Sequence, residues 1–535
     1  MRVLLVNPPY PISETPSPPL SLAVLGASLE EAGADVEVLD LAVSPYSEAD
    51  LESILSRHSP QVAGVTCVTM TFHAAARIVR AIKRLAPEVV TVMGGPHVTF
   101  HAEATLQQLP ELDCVCRGEG ENALVALCRA VADGAGFFAV PGLVWRSAAT
   151  LVKNGCPETP IDLDALPPPA RHLLPLGRYR ALGLPLSMIS SRGCPYGCIF
   201  CVGRKMGGTR IRYRNPERVA DEMVALAGLG FHQINVADDL FTADPEHCRR
   251  FCRSLARRKI SVSWTCFARV DTVTRPLLGA MAEAGCHTVS FGVESADPGI
   301  LKTVKKGIRP QQVLDAVSLC VDTGITPQIS FILGLPGETR RTVGKTVAFA
   351  KRLQKMGAAY GFHLLAPFPG TEVRRRAVQY GIRILTDDWQ RYHANRAVVE
   401  TASITAAELD RIVIAWEKKF DEYLGHLDRL RQTGAATADE VWPLTRLEHT
   451  VVLYDLMMNR AVEENGAWRN GDDPATPETA LETLIGRIQV PAGARYGRDQ
   501  LRETLRFALS EGYLAMSSEA GTIRWQWVER LPSSL

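Results

Sequence analysis

Twice along this chain, short apolar runs of strand length alternate with amphipathic helical stretches. Such alternation predicts parallel strands joined by crossover helices, because two parallel strands need a long return connection. In residues 1–150 the runs are Val3–Val6, Val36–Leu39, Val62–Val68, Val89–Met93 and Cys114–Cys116. Helices are expected over Leu20–Ala32, Asp50–Ser56, Ala74–Leu85 and from Glu121 to Ala132. The expectation is an α/β fold with a doubly wound sheet. In residues 183–400 the runs are Leu186–Ser190, Gln233–Val236, Ser261–Cys266, Thr288–Val293, Thr326–Leu333 and Gly361–Leu365. Six such units predict a partial (β/α)6 barrel, because an eight-fold barrel takes about 250 residues.

Both architectures gather ligands beyond the carboxyl ends of their strands. In the first region those ends carry Asn7-Pro8-Pro9, Gly94-Gly95-Pro96-His97 and Gly118-Glu119-Gly120. Glycine lets backbone approach a bulky ligand. No G-x-G-x-x-G follows the first strand, which disfavours a dinucleotide. In the second region the ends carry Asp238-Asp239, Arg269, Glu294-Ser295 and Gly334-Leu-Pro-Gly-Glu338.

The first strand of the second region runs into Ser191-Arg-Gly-Cys194-Pro-Tyr-Gly-Cys198-Ile-Phe-Cys201. Cysteine thiolates hold iron–sulfur clusters, and a cubane has four irons. Three ligands from one loop leave one iron without a protein ligand, and an open position is where a metal centre does chemistry. A zinc knuckle would want a fourth ligand, and none lies nearby.

Formal charge is +1 and hydrophobic content 46%, so the balance points to no obligatory nucleic-acid or membrane partner. No apolar run is long enough for a membrane helix, and the first residues read as a strand rather than a signal peptide. Most of the thirteen cysteines stand in apolar patterns. Cys114 and Cys116 fall on one strand face and read as core. Scattered free thiols suit a reducing, cytoplasmic setting.

Four parts are expected: 1–140, a linker at 141–182, the barrel at 183–400 and a mainly helical part at 401–535. A hairpin-like stretch, Gly142–Val152, opens the bridge, and three successive prolines before Ala170 stiffen it. The last part holds helices over Thr405–Arg431, Val441–Glu464 and Asp499–Glu511, then a hairpin, Tyr513–Val528, turning at Glu519-Ala-Gly521. Helix plus hairpin suggests a winged-helix-like module, too weakly basic to argue for DNA.

The first region, with Thr66-Cys-Val68 and Gly94-Gly95 bracketing its strands, resembles the flavodoxin-like cobalamin-binding domain. There a Ser/Thr and a Gly-Gly pair flank the nucleotide tail of vitamin B12. The resemblance assigns Asn7, Pro8, Thr66, Gly94, Gly95 and His97 to cobalamin, together with Gly118, Glu119 and Gly120. Thr69 and Met70 are assigned to cobalamin as well, and Met70 or Thr71, in the loop after the third strand, is placed near the lower face. The D-x-H-x-x-G signature of the methionine-synthase type is missing, since Tyr10 to Gly26 contains no histidine. Cobalt is therefore expected without a histidine ligand.

The cysteine loop resembles the signature of the radical S-adenosylmethionine (SAM) superfamily. That resemblance implies a [4Fe–4S] cluster on Cys194, Cys198 and Cys201, with SAM on the free iron. It matches Phe200 to an aromatic facing the adenine, and Asp238 and Asp239 to the motif that meets the SAM amino group. Glu294 and Ser295 match a pair near the ribose, Gly334 a motif beside the adenine, and Arg269 a further contact.

The two domains together resemble the cobalamin-dependent radical SAM enzymes. Their chemistry implies methylation of an unactivated carbon through a 5′-deoxyadenosyl radical and methylcobalamin. It also implies a small-molecule or peptide substrate and an electron donor such as flavodoxin or ferredoxin. Three other uses of related architectures are a cyclase or rearrangement without methyl transfer, a methylthiotransferase and a DNA-binding cobalamin sensor. The methylthiotransferase is disfavoured because Cys67, Cys114 and Cys116 sit on strands, and the sensor because the cysteine loop is intact.

Overall fold

Strand pairing follows the apolar runs. The computed structural model describes the chain except residues 12–15, 148–149, 157–159, 232, 470–475, 491–493, 520 and 532–535. In the first domain come β1 (Arg2–Asn7), α1 (Leu20–Glu31), β2 (Asp35–Asp40), α2 (Glu48–His58) and β3 (Val62–Thr66). They are followed by α3 (Phe72–Leu85), β4 (Val90–Gly94), α4 (Pro96–Gln108), β5 (Cys114–Cys116) and α5 (Glu121–Ala132). The parallel order β2-β1-β3-β4-β5 reverses direction at β1, which places the ligand crevice between β1 and β3. Cys67, Cys114 and Cys116 are buried, and burial pushes the Cys116 thiol up to about 12, so these thiols stay protonated core residues.

Two features depart from expectation. The hairpin β6 (Leu143–Ser147) and β7 (Thr150–Lys153) pairs antiparallel with β5. The first sheet therefore has seven strands and runs past residue 140 into the segment read as linker. Helix α4 is absent from the sequence reading because its buried face, Val98, Ala102, Thr105 and Leu106, is thin in large apolar residues. It starts at Pro96, which suits a first helical turn.

The connector helix α6 (Leu176–Ala181) leads to β8 (Leu186–Met188). Next come the ribbon strands β9 (Ser191–Arg192) and β10 (Arg212–Tyr213), with α7 (Gly203–Gly207) between them. The barrel continues through α8 (Pro216–Gly228), β11 (Ile234–Val236), α9 (Pro245–Arg257), β12 (Trp264–Ala268) and α10 (Arg275–Glu283). After these stand β13 (Cys286–Glu294), α11 (Pro298–Thr303), α12 (Pro310–Asp322), β14 (Thr326–Leu333), α13 (Arg340–Lys355) and β15 (Ala359–Leu364). The six strands β8, β11, β12, β13, β14 and β15 lie side by side in chain order, all parallel. Side-chain caps start the outer helices: Asn215 on α8, Asp244 on α9 and Thr339 on α13. The third strand begins at Trp264 rather than Ser261, because pairing with β11 starts at Ile234↔Trp264.

A short helix α14 (Glu372–Arg375) and the pair β16 (Ile382–Ile384) and β17 (Val399–Thr401) return the chain across the barrel. One apolar cluster joins Leu4, Phe72 and Val98 of the first domain to Ile199 of the cysteine loop and to Val373, Trp389 and Val399. That shared core, rather than the proline connector alone, welds the two domains.

The remainder is α15 (Ala406–Thr433), α16 (Ala438–Met458), α17 (Ala461–Asn465), β18 (Ala467–Arg469), α18 (Pro477–Arg487), α19 (Arg498–Ser510), β19 (Leu514–Glu519) and β20 (Thr522–Trp527). Thr405 and Glu408 form a capping box on α15. Helix, strand, two helices and a hairpin, with sheet order β18-β20-β19, is a winged-helix arrangement. Ala520, in the expected hairpin turn, lies outside the described residues. Trp525 and Trp527 are core. Arg502 and Arg506 of α19 pair with Glu482. Among the described residues no helix is long and apolar enough to cross a membrane.

Candidate functional site

A cavity of about 430 Å³ opens at the carboxyl edge of the first sheet. Its deep part lies between Leu5, Gly64 and Val92 of the strands and Leu22, Leu25 and Leu124 of α1 and α5. Its mouth is Thr66, Val68, Gly94, Gly95, Gly118, Glu119 and Gly120 on one side. Across from them stand Ile189, Arg192, Met206, Gly207 and Asp239 of the barrel. Two of the glycines stand where a side chain would crowd its neighbours. A Cβ on Gly95, whose φ is +103°, would lie 2.6 Å from the Cys67 carbonyl oxygen, and one on Gly120 would lie 3.1 Å from Leu25 Cδ2. An apolar interior opening on a glycine-lined edge fits a ligand with a long tail and a broad head, as cobalamin has.

Five of the residues assigned to cobalamin stand elsewhere: Asn7, Pro8, Thr69, Met70 and His97 do not line this cavity. Asn7 donates to Asp40 Oδ1 at 2.7 Å. Thr69 and Met70 form a short turn, and the Thr69 hydroxyl lies 3.3 Å from His97 Nδ1. His97 is 1% exposed and packed against Phe72 and Trp389. Burial lowers its pKa to about 3. A position two residues after Gly95 did not bring the ring to the crevice, because α4 starts there and turns it into the core.

The cysteine loop is an excursion between the paired strands β9 and β10. Its backbone is pinned at several points. Cys194 N donates to Gly208 O, Ile199 N to Val304 O, and Val373 N to Ile199 O. Gly193, at φ +111°, passes so close to Arg210 that a Cβ would lie 2.5 Å from its carbonyl oxygen. Burial raises the Cys198 and Cys201 thiols, opposed by the Lys306 charge at Cys198 and by the Gly203 N–H at Cys201. Among the described residues no three acidic, histidine or cysteine side chains converge on a point that one metal ion could fill. A cubane imposes no such convergence, since each thiolate meets its own iron. A buried lysine, a backbone N–H and Arg269 beside the thiols suit an anionic cluster.

The barrel-edge residues fall into two groups. Glu294 is 5% exposed, and its carboxylate accepts from buried Lys306 at 2.8 Å. Its φ of +69° is rare for a side-chain-bearing residue and coincides with a register shift in β13. Burial pushes the Lys306 pKa down, but Glu294 and Cys198 outweigh it and hold the ammonium charged. Arg269 binds Asp271 through two hydrogen bonds of 2.9 Å and stacks 3.6 Å above the Tyr196 ring of the cysteine loop. Phe200 is partly buried against the shared core.

The other matched residues hold loops. Asp238, 2% exposed, accepts from Ser190 N, Ser190 Oγ and Ser191 Oγ at 2.6, 2.5 and 2.6 Å. Its carboxylate is thus spent on the ribbon that bears the cysteines. Asp239 accepts from Gly193 N at 3.1 Å and faces the cavity mouth. Ser295 accepts from Asp297 N and touches Thr346. Gly334 packs on Leu409 of α15, and its N–H donates to Glu338.

Sequence reasoning passed over the charges that close the mouth. Arg192 bonds Glu119 and Glu121 at 3.1 and 2.6 Å, and Arg212 bonds Glu119 at 2.6 Å. It also missed Phe267 and His363, on β12 and β15, whose side chains stay exposed while their strand neighbours are buried. Alternation along those strands was the signal that could have found them.

Comparison with known proteins agrees with this geometry. Residues 13–128 match the B12 binding domain and residues 188–350 the radical SAM superfamily. An uncharacterized methyltransferase of Pyrococcus horikoshii is 34% identical over 421 residues, 77% of this chain and 91% of that protein. The anaerobic magnesium-protoporphyrin IX monomethyl ester cyclase of Rubrivivax gelatinosus is 29% identical, covering 78% of this chain and 77% of its own. The solved radical SAM methyltransferase TsrM of Kitasatospora setae, with cobalamin and a [4Fe–4S] cluster bound, superposes with a TM-score of 0.63 at 25% identity. That match covers 76% of this chain and 84% of TsrM. With a B12 domain, a radical SAM barrel and a cysteine loop at their common edge, this chain belongs to the cobalamin-dependent radical SAM enzymes of the methyltransferase family.

Proposed function

We propose that the chain is a methyltransferase that places a methyl group on an unactivated carbon of a small molecule. The observation that carries this reading is the shared mouth. One cavity is walled by Gly94, Gly95 and Gly120 of the B12 domain and by Arg192, Met206, Gly207 and Asp239 around the cysteine loop. Transfer between two cofactors on one substrate needs their sites to meet, and a cavity walled by both domains supports that reading. When bound, the cluster with SAM supplies the radical and cobalamin supplies the methyl group.

The protein's own residues supply position and charge. Arg192 and Arg212 clamp Glu119 and hold the two domains at a fixed gap. Asp238 holds the ribbon, and Arg269 holds Tyr196 inside the cysteine loop. The Glu294–Lys306 pair puts a fixed dipole beside Cys198. An external one-electron donor of the flavodoxin or ferredoxin type starts the reaction. Among the described lining residues there is no histidine.

The relative that is a cyclase carries the second reading, ring formation without methyl transfer. The two separate by mass. Anaerobic incubation of the reconstituted protein with methyl-labelled SAM and a cell extract should give a product enlarged by one labelled methylene unit. A product that forms in a SAM-dependent manner and carries no label would establish the cyclase reading instead.

A further inference from the structure

The segments bonded to the cysteine loop carry a rim of unbalanced positive charge. Three stretches meet there: the loop itself with α7, the end of α11, and α14. Their contacts are direct. Ile199 N donates to Val304 O, Val373 N donates to Ile199 O, and the Lys205 ammonium bonds the Gly370 carbonyl. The Cys198 thiol lies 3.8 Å from Lys305 O. Six exposed cations stand on these stretches, Arg204, Lys205, Lys302, Lys305, Arg375 and Arg376, beside a half-buried seventh, Arg374, that Asp387 faces at 3.7 Å. The same stretches hold one carboxylate, Glu372, which Lys305 at 2.8 Å and Arg376 at 3.5 Å already share. Six against one leaves a local charge of +5, whereas the whole chain carries +1.

Elsewhere some exposed arginines are neutralised, Arg431 by Glu448 and Asp428, Arg506 by Glu482 and Arg396 by Glu417, and others such as Arg129, Arg341 and Arg352 are not, among the described residues. What sets the rim apart is the gathering of cations on three bonded stretches. At the rim, Lys302 and Arg375 take part in no ion pair among the described residues. Burial and the nearby Arg375 charge push the Lys205 pKa down against the opposing pull of Glu372, so several like charges crowd around one carboxylate. Crowded like charge costs energy unless a partner answers it, and a focused patch steers an oppositely charged partner to it.

We propose that this rim docks the acidic electron-carrier protein, of the flavodoxin or ferredoxin class, that reduces the cluster. The inference rests on the radical SAM reading and adds to it the place where the electron enters. One electron leaves the carrier and one is gained by the cluster; no bond is made or broken. A docked carrier stands against the backbone that bears Cys198 and Cys201.

The test uses the full chain with its cluster reconstituted and the double variant Lys302→Glu/Arg375→Glu. Neither residue lines the cavity or binds a cysteine. Stopped-flow bleaching of the cluster is followed with flavodoxin hydroquinone and, separately, with dithionite. Titration calorimetry reads oxidised flavodoxin binding. The double variant should slow reduction by flavodoxin about tenfold at low salt and abolish the calorimetric signal, with dithionite reduction unchanged. Raising salt from about 50 to about 500 mM should slow the unaltered protein in the same way. An unchanged flavodoxin rate would overturn the proposal, as would an equal loss with dithionite. Tighter binding of a short DNA duplex than of flavodoxin at the rim would overturn it as well. A chain that takes up no iron or sulfide on reconstitution would instead remove the radical SAM reading itself.

Discussion

The two strand-end crevices meet at one cavity but are built in opposite ways. The edge of the first sheet is made of backbone and absent side chains: Gly94, Gly95, Gly118 and Gly120 form its mouth, and its interior is apolar. The edge of the barrel is made of charged side chains, several of which are already engaged. Asp238 is held by two serines, Glu294 by Lys306, Arg269 by Asp271, and Glu338 by two backbone N–H groups. A glycine identified from its motif keeps its role when the fold is seen, because that role is to leave room. A carboxylate identified from its motif can be taken over by architecture, because a buried charge needs partners and recruits the nearest donors.

If the comparison is right, the two edges fail independently. Cys198→Ala should abolish cluster content and SAM cleavage while leaving cobalamin affinity within a factor of about two. Gly120→Val should do the converse. Gly120 has ordinary helical backbone angles, so the new side chain strains nothing locally and simply enters the cavity beside Leu25. Cobalamin affinity should fall about a hundredfold, near 2.7 kcal/mol, with iron and sulfide content unchanged. Equilibrium dialysis and metal analysis on both variants read the result. Loss of both cofactors in either variant would mean that the edges are one cooperative unit.

A smaller effect separates neighbouring carboxylates. Asp238→Asn presents an amide to three donors that formerly met a carboxylate, leaving at least one donor unmet at a cost of about 1–3 kcal/mol. The ribbon β9–β10 should slacken, lowering the melting temperature and slowing SAM cleavage about tenfold. Asp239→Asn keeps an oxygen for the Gly193 N–H and should change stability little. Equal destabilisation by the two would erase the distinction between a residue spent on the fold and one left facing the cavity.

Much of this was legible in the chain. Each parallel strand of both sheets was announced by an apolar run, and the cysteine spacing and the Gly-Gly pair announced the two cofactors. What stayed hidden depends on partners far apart in sequence. Nothing periodic tells that Glu119 waits for Arg192 and Arg212, or that the hairpin at 143–153 extends the first sheet rather than bridging the domains. Lys306 was within reach, because a lysine flanked by Val304 and Ile308 twelve residues after Glu294 is an ion-pair candidate. His97 was misplaced because spacing fixes where a loop ends, not which way the next helix turns its first residue.

A pH-dependent effect concerns Glu338, where the engaged-carboxylate rule can be read by titration. Its side chain is 1% exposed. One oxygen accepts from Gly334 N and Leu335 N at 2.7 and 3.1 Å, and the other has no partner. Burial raises the pKa to about 8 from 4.5, against the pull of those two N–H bonds. A carboxyl whose folded pKa lies above its unfolded one stabilises the fold below the unfolded value and loses that contribution as pH rises through the folded one. Here the window runs from about pH 4.5 to about pH 8, and the whole contribution is on the order of 5 kcal/mol. Glu338→Gln keeps an acceptor for the two N–H groups and removes the titration. Melting temperatures of the two proteins should therefore nearly coincide at pH 5. By pH 9 the unaltered chain should melt about 5 °C lower. Parallel melting curves across that range would show that the Glu338 carboxylate finds a counter-charge in the barrel when it ionises.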